Sequence, residues 1–129
     1  MALYGRPLMK LNAHTKEKLR ESLRQRLDQH PNLHFCDLIN EYEKFVYLKC
    51  KVNDFNDEQL AAPAHIHMVW EAHILNTAIY SGDCIDMYGE VINRNPTLSN
   101  EQLRMMRHGA NVAHQLHFGF LPQSWKIDL

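Results

Sequence analysis

The run Pro63-Ala64-His65-Ile66-His67-Met68-Val69-Trp70-Glu71-Ala72-His73-Ile74-Leu75 constrains this chain more than any other segment. At about 100° per residue, Ile66, Val69, Trp70, His73 and Thr77 fall on one side, while Met68 and Glu71 point away from it. Pro63 suits the first turn, where a missing N–H costs nothing. A helix with a tryptophan and a histidine on its apolar face must be buried against several neighbours. No strand-like alternation competes with it, and there is no internal repeat or low-complexity stretch. The expectation is an all-α fold of about five helices in a compact bundle.

The flanking segments read the same way. Thr15 is a good N-cap type, and a first helix should run from it to about Gln29, where His30-Pro31 stops it. Its apolar stripe is thin: Leu19, Leu23 and Leu27 form a single row, which makes the helix peripheral or leaves the row for a second copy of the chain. A second helix over 33–50 puts Phe35, Leu38, Ile39, Tyr42, Phe45 and Val46 on one broad side, with Glu41, Glu43 and Lys44 elsewhere. Asn53 to Asp57 reads as a loop. A fourth helix should start at Asn76 or Thr77, carry Tyr80, Cys84, Met87, Tyr88 and Val91, and end at Asn95-Pro96. Within it, Gly82 and Gly89 mark close helix contacts or a break. The fifth has the clearest start, with Ser99 as N-cap, Gln102 three residues on, and Leu98 and Leu103 as a staple. Leu103, Met106, Ala110 and Ala113 form its expected core face, and Gly119 its C-cap. At 129 residues the chain is read as one domain, with an arm over 1–14 and an apolar tail over 120–129 that packs back.

A content of 45% hydrophobic and 22% charged residues is that of an ordinary globule rather than a disordered chain. The opening Met1 to Pro7 lacks an apolar core of signal-peptide length, and no segment approaches the roughly 20 apolar residues of a membrane span. Cys36, Cys50 and Cys84 form no C-x-x-C pair and leave an odd thiol, which suits a reducing compartment and buried small hydrophobes. The expected location is therefore intracellular, in cytoplasm or nucleus, with no membrane contact. The net charge of −1 hides an asymmetry, since residues 1–26 hold seven basic residues against Glu17 and Glu21. Lys16, Arg20, Arg24 and Arg26 thus become candidate contacts for nucleic acid or an anionic protein partner, against the plainer reading of a solvated helix face.

Nine histidines are enough to raise the question of a metal. His65 and His67 point to different sides of a helix, whereas His114 and His117 share one. If His73 converged with that pair, zinc or another divalent transition metal would find a further ligand in Asp83 or Cys84, although the spacing matches no compact zinc motif. The competing reading is of core histidines hydrogen-bonded to their neighbours, with no cofactor. There is no G-x-S-x-G elbow, no Cys-centred catalytic signature and no glycine-rich phosphate loop, so no catalytic residue is assigned.

Glu41-Tyr42-Glu43-Lys44-Phe45-Val46-Tyr47-Leu48-Lys49, Leu60-Ala61-Ala62-Pro63, Val69-Trp70-Glu71-Ala72-His73-Ile74-Leu75, Tyr80, Asp83-Cys84, Gly89 and Asn95-Pro96 together resemble the glycine-rich domain-containing protein-like family. The closing Phe118-Gly119-Phe120-Leu121-Pro122-Gln123-Ser124-Trp125 is similar to it too, so the resemblance spans roughly residues 38–125. In that family the tryptophan helix reads Val-Asp-x-Val-Trp-His-x-His-Ile-Leu, and a histidine pair precedes the later Asn-Pro. No biochemical activity is established for the family, and the resemblance implies none. The family Asp falls on His67, its first His on Glu71, and the later histidines on Asn93 and Arg94. His73, Asp83 and Cys84 are what remain of the polar set. An acid and a histidine four residues apart pair in either order on a helix surface, so the exchange at 67 and 71 suits a structural pair better than a metal or acid–base site.

The function expected from these readings is a non-enzymatic structural or interaction protein, a homo-oligomer acting through its helical surfaces and basic N-terminal region. The alternatives are a metal-binding domain or small enzyme built on His73, His114 and His117, and a nucleic-acid binder led by the first helix.

Overall fold

The computed structural model describes residues 8 and 10–127, the last without its side chain. Helices α1 (Ala13–Gln29), α2 (Phe35–Lys51), α3 (Ala64–Leu75), α4 (Thr77–Tyr88), α5 (Asn100–Phe118) and α6 (Gln123–Ile127) account for its regular structure, and no strand occurs among the described residues. The all-α reading holds, with a short sixth helix added by the tail. Most of the expected arm over residues 1–14 lies outside the described residues. None of the described helices is long and apolar enough to cross a membrane.

Local chemistry sets the helix ends. The capping box at α5 is present in full: Gln102 N donates to Ser99 Oγ (3.1 Å), and Ser99 N to Gln102 Oε1 (2.8 Å). Helix α1 begins two residues before the expected position, because Asn12 is the cap and its Oδ1 accepts from Thr15 N at 2.8 Å. Thr15 is buried instead, and its hydroxyl serves the core. Helix α4 stops well short of Asn95-Pro96. Gly89 takes the left-handed conformation (φ 79°), which ends the helix at Tyr88 and frees residues 89–99 as an extended connection. Gly82 makes no close helix contact, since a Cβ there would have nothing within 4 Å.

Helix α3 packs against α1, α2 and α4, and α2 in turn carries α5. Ile66, Val69, Trp70 and His73 are all buried, as their periodicity predicts, whereas Thr77 belongs to the next helix and is exposed. Phe45 of α2 stands between two tryptophans, with ring centroids 6.3 Å from Trp70 and 6.4 Å from Trp125. Trp125, fully buried, pins the folded-back tail. Helix α1 is less peripheral than its thin stripe suggests: Leu19 and Leu23 are each 1% exposed within the chain, and Leu27 packs beside them. Leu19 and Leu23 of the row read as an oligomer face are thus covered within the chain. Cys50 and Cys84 are buried, but Cys36 is exposed.

Charge enters this core at two places on α2, at Glu43, which periodicity assigned elsewhere, and at Lys49. Glu43 is buried, and its Oε2 accepts from Leu11 N at 2.7 Å. Lys49 is wholly buried, and its ammonium donates to Asp54 Oδ2 (2.7 Å), Asp57 Oδ1 (2.9 Å) and Leu60 O (2.7 Å). Those three bonds use all of its donors. Asp54 also receives the backbone N–H groups of Glu58, Gln59 and Leu60, and Asp57 that of Asn95. Asn53 and Asp57 both adopt positive φ, 60° and 59°, so that the loop wraps the ammonium. Burial would push the Asp54 carboxyl up, but Lys49 and the loop amides hold it below the usual carboxylate range.

Lys49→Met fits the space but strands two buried carboxylates. It should lower the unfolding free energy by about 3–5 kcal/mol in urea titrations, and a loss under about 1 kcal/mol would show that the loop is held by other means.

Candidate binding groove

The polar residues nearest the chain's centre form one sealed relay. Tyr42 OH lies 2.7 Å from His73 Nδ1, His73 Nε2 lies 2.8 Å from Asp83 Oδ2, and Thr15 Oγ1 donates to that same oxygen at 2.7 Å. A neutral imidazole satisfies every position, with the tyrosine hydroxyl donating to Nδ1 and Nε2–H donating to the carboxylate. Burial lowers the His73 pKa more strongly than Asp83 raises it, which agrees with that neutral form. Close by, Trp70 Nε1 donates to Tyr80 OH (2.9 Å), which donates to Ile92 O (2.5 Å). The adjoining cavity, lined by Tyr42, Glu43, His73 and Cys84 among others, holds about 10 Å³. That is at the lower limit for one water, so the relay has no room for a substrate.

The remaining metal candidates are dispersed. His114, fully buried, lies in an aromatic box with ring centroids at 4.8 Å (Phe118), 5.2 Å (Phe120) and 4.7 Å (Trp125). Its Nδ1–H donates to Phe120 O at 2.7 Å, and its Nε2 has no partner among the described residues. Burial lowers its pKa. His117 is exposed beside Tyr47, and its pKa is lowered by partial burial and by Lys51. Burial pushes the Cys84 thiol up, the wrong direction for a thiolate ligand or nucleophile. No group of three or more His, Cys, Asp or Glu able to hold a metal ion occurs among the described residues.

Of the basic candidates on α1, Arg20, Arg24 and Arg26 are exposed and Lys16 is half-buried. Arg20 is partly engaged, its guanidinium carbon 4.2 Å from the Phe35 ring centroid.

Space for a ligand lies elsewhere, between the N-terminal part of α3, the connection 91–98 and the first half of α5. A cavity of about 590 Å³ opens there. Its apolar surface comes from Ala62, Met68, Trp70, Leu98 and Leu103. Leu103, expected in the core, is 40% exposed because it lines this groove. At the rim His67 Nε2 lies 3.4 Å from Glu71 Oε2, and Arg94 Nη2 approaches the same oxygen at 3.5 Å. The base is drawn tight where Ala61 N donates to Met106 O at 3.0 Å, and where a Cβ on Gly109 would come within 3.1 Å of Gln59 O. Arg107 fixes the far wall by donating to Asn111 Oδ1 (2.6 Å) and Trp125 O (2.7 Å). On the opposite side of α2, Trp125 Nε1, Ser124 Oγ and His65 Nε2 converge on Glu41 Oε1 at 2.8, 3.1 and 3.1 Å.

Two measurements follow from these positions. With the folded-state pKa values of His73 and His114 lowered, the unfolded chain takes up protons first as pH falls through about 6.5. Unfolding free energy should therefore drop below that pH, with a slope of up to about 1.4 kcal/mol per pH unit for each histidine still neutral in the fold. Chemical denaturation showing flat or rising stability on acidification would contradict the assignment. A double-mutant cycle of His67→Ala and Glu71→Ala should give a coupling of a few tenths of a kcal/mol, as an i,i+4 pair on a helix surface does. Zero coupling would remove the pair.

Comparison with protein-family models, with curated proteins and with solved structures returns no match.

Proposed function

We propose that the protein is a non-enzymatic binding module whose recognition surface is the groove between α3 and α5. The observation that carries this reading is the contrast between two regions. The buried Tyr42–His73–Asp83–Thr15 relay is hydrogen-bonded throughout and closed, while the groove offers a cavity within the usual range for small-ligand sites, with apolar side chains edged by polar and charged ones. Among the described residues that line the groove there is no serine, threonine or cysteine.

The resemblance to the glycine-rich domain-containing protein-like family, taken as a proposal of descent, supports the same division. The positions where the chain keeps the family's polar residues, His73, Asp83 and Cys84, are buried and structural. Three positions where it departs, His67, Glu71 and Arg94, line the groove together. Such a partition suits a scaffold that is retained while its binding surface is respecified.

A screen of small organic fragments by ¹H–¹⁵N NMR tests the reading. Shifts should concentrate on residues 61–71, 94–98 and 103–111, and Ala62→Trp, which fills the groove, should abolish them while leaving the thermal melt within a few degrees. Fragments that collect elsewhere, or that ignore the substitution in a folded protein, would overturn it.

A further inference from the structure

The charges around the groove are unevenly committed, and the imbalance specifies a ligand. Both carboxylates that line it already have cationic partners. Glu71 faces His67 and Arg94. Asp57 is bound through one oxygen by the Lys49 ammonium and through the other by Asn95 N. On the α5 wall stand Arg104 and His108, one helical turn apart, with Arg107 between them in sequence. Arg104 is exposed, and its guanidinium makes no hydrogen bond or ion pair with any other described residue. A cationic ligand would find no uncommitted carboxylate. A neutral one would cover Arg104 without compensating for its lost water, which is costly.

We propose that the groove takes a small anionic amphiphile, an organic acid with one anionic head and an aromatic or branched apolar body. This rests on the groove being the recognition surface. The head meets Arg104 and His108 on α5, where a charge-assisted bond replaces water. The body lies on Trp70, Met68, Leu98 and Leu103, and the cavity of about 590 Å³ accommodates a molecule of drug-like size.

A matched pair of fluorescent probes tests the charge and the groove separately, using the full chain. 8-Anilinonaphthalene-1-sulfonate and N-phenyl-1-naphthylamine share an apolar frame, but only the first carries an anionic head. The sulfonate should bind about tenfold more tightly at low salt, and high salt should narrow the difference. Arg104→Gln should weaken the sulfonate about fivefold and leave the neutral probe unchanged. Ala62→Trp and, as a second groove variant on an exposed position, Leu103→Glu should weaken both probes, with melts confirming the fold. Equal affinity for the two probes, or indifference of the sulfonate to Arg104→Gln, would overturn the anionic specificity while leaving the groove as the binding surface. Binding of neither probe, or binding of both that ignores Ala62→Trp and Leu103→Glu, would overturn the groove itself and this inference with it.

Discussion

One oxygen of Asp83 holds the bundle together. It belongs to α4, and it accepts from Thr15 on α1 and from His73 on α3, whose other nitrogen faces Tyr42 on α2. Four helices thus converge on a single side-chain relay. Buried polar groups stabilise little in net terms when satisfied, but an unsatisfied one costs about 1–3 kcal/mol. The relay therefore selects one arrangement: rotating any of the four helices leaves a donor or acceptor stranded among apolar side chains. The surrounding apolar packing would tolerate several arrangements; the relay tolerates one.

This fastening also decides what these side chains are occupied with. A histidine, a carboxylate and a cysteine adjacent in sequence order look like ligands or catalysts. Here each is spent on packing. His73 is held neutral by burial, with both nitrogens occupied. Asp83 has its oxygen shared by two donors, and the Cys84 thiol is pushed towards its protonated form. Neither a metal nor a proton-transfer substrate has access to such groups without dismantling the contacts that join the helices.

Much of this architecture was legible in the chain. The face Ile66, Val69, Trp70 and His73 is read from period alone, because period reports burial directly, whereas the polar partners of His73 and Trp70 are not written in it. The start of α5 is written locally, in Ser99 and Gln102, and local chemistry decides it. Where the reading failed, the deciding partner was distant in sequence. Thr15 looks like a cap until Asp83, 68 residues away, claims its hydroxyl. Lys49 carries no local sign of burial, and nothing within one helical turn shows that Asp54, Asp57 and the Leu60 carbonyl will surround it. Leu19 and Leu23 look spare because a single row carries no information about what covers it. The groove was illegible for the same reason: it joins residues near 60, 70, 95 and 105, and nothing in any one segment shows that the others will meet it.

The buried lysine and the groove are parts of one construction. Asp57 uses one oxygen on Lys49 and the other on Asn95 N, so the ion cluster fixes the loop before α3 to the connection before α5. Both residues line the groove. The Ala61–Met106 hydrogen bond and the close approach at Gly109 then join that same loop to α5 itself. The three segments that wall the groove are therefore tied to one another from behind rather than across the cavity. A site held in this way does not have to order its walls when something binds, which removes one of the main entropic costs of association. It also separates two selective pressures physically. Residues of the ties, such as Lys49, Asp57 and Gly109, answer to stability. Rim residues such as His67, Glu71, Arg94 and Arg104 are partly or largely exposed, so they can change at small cost to the fold.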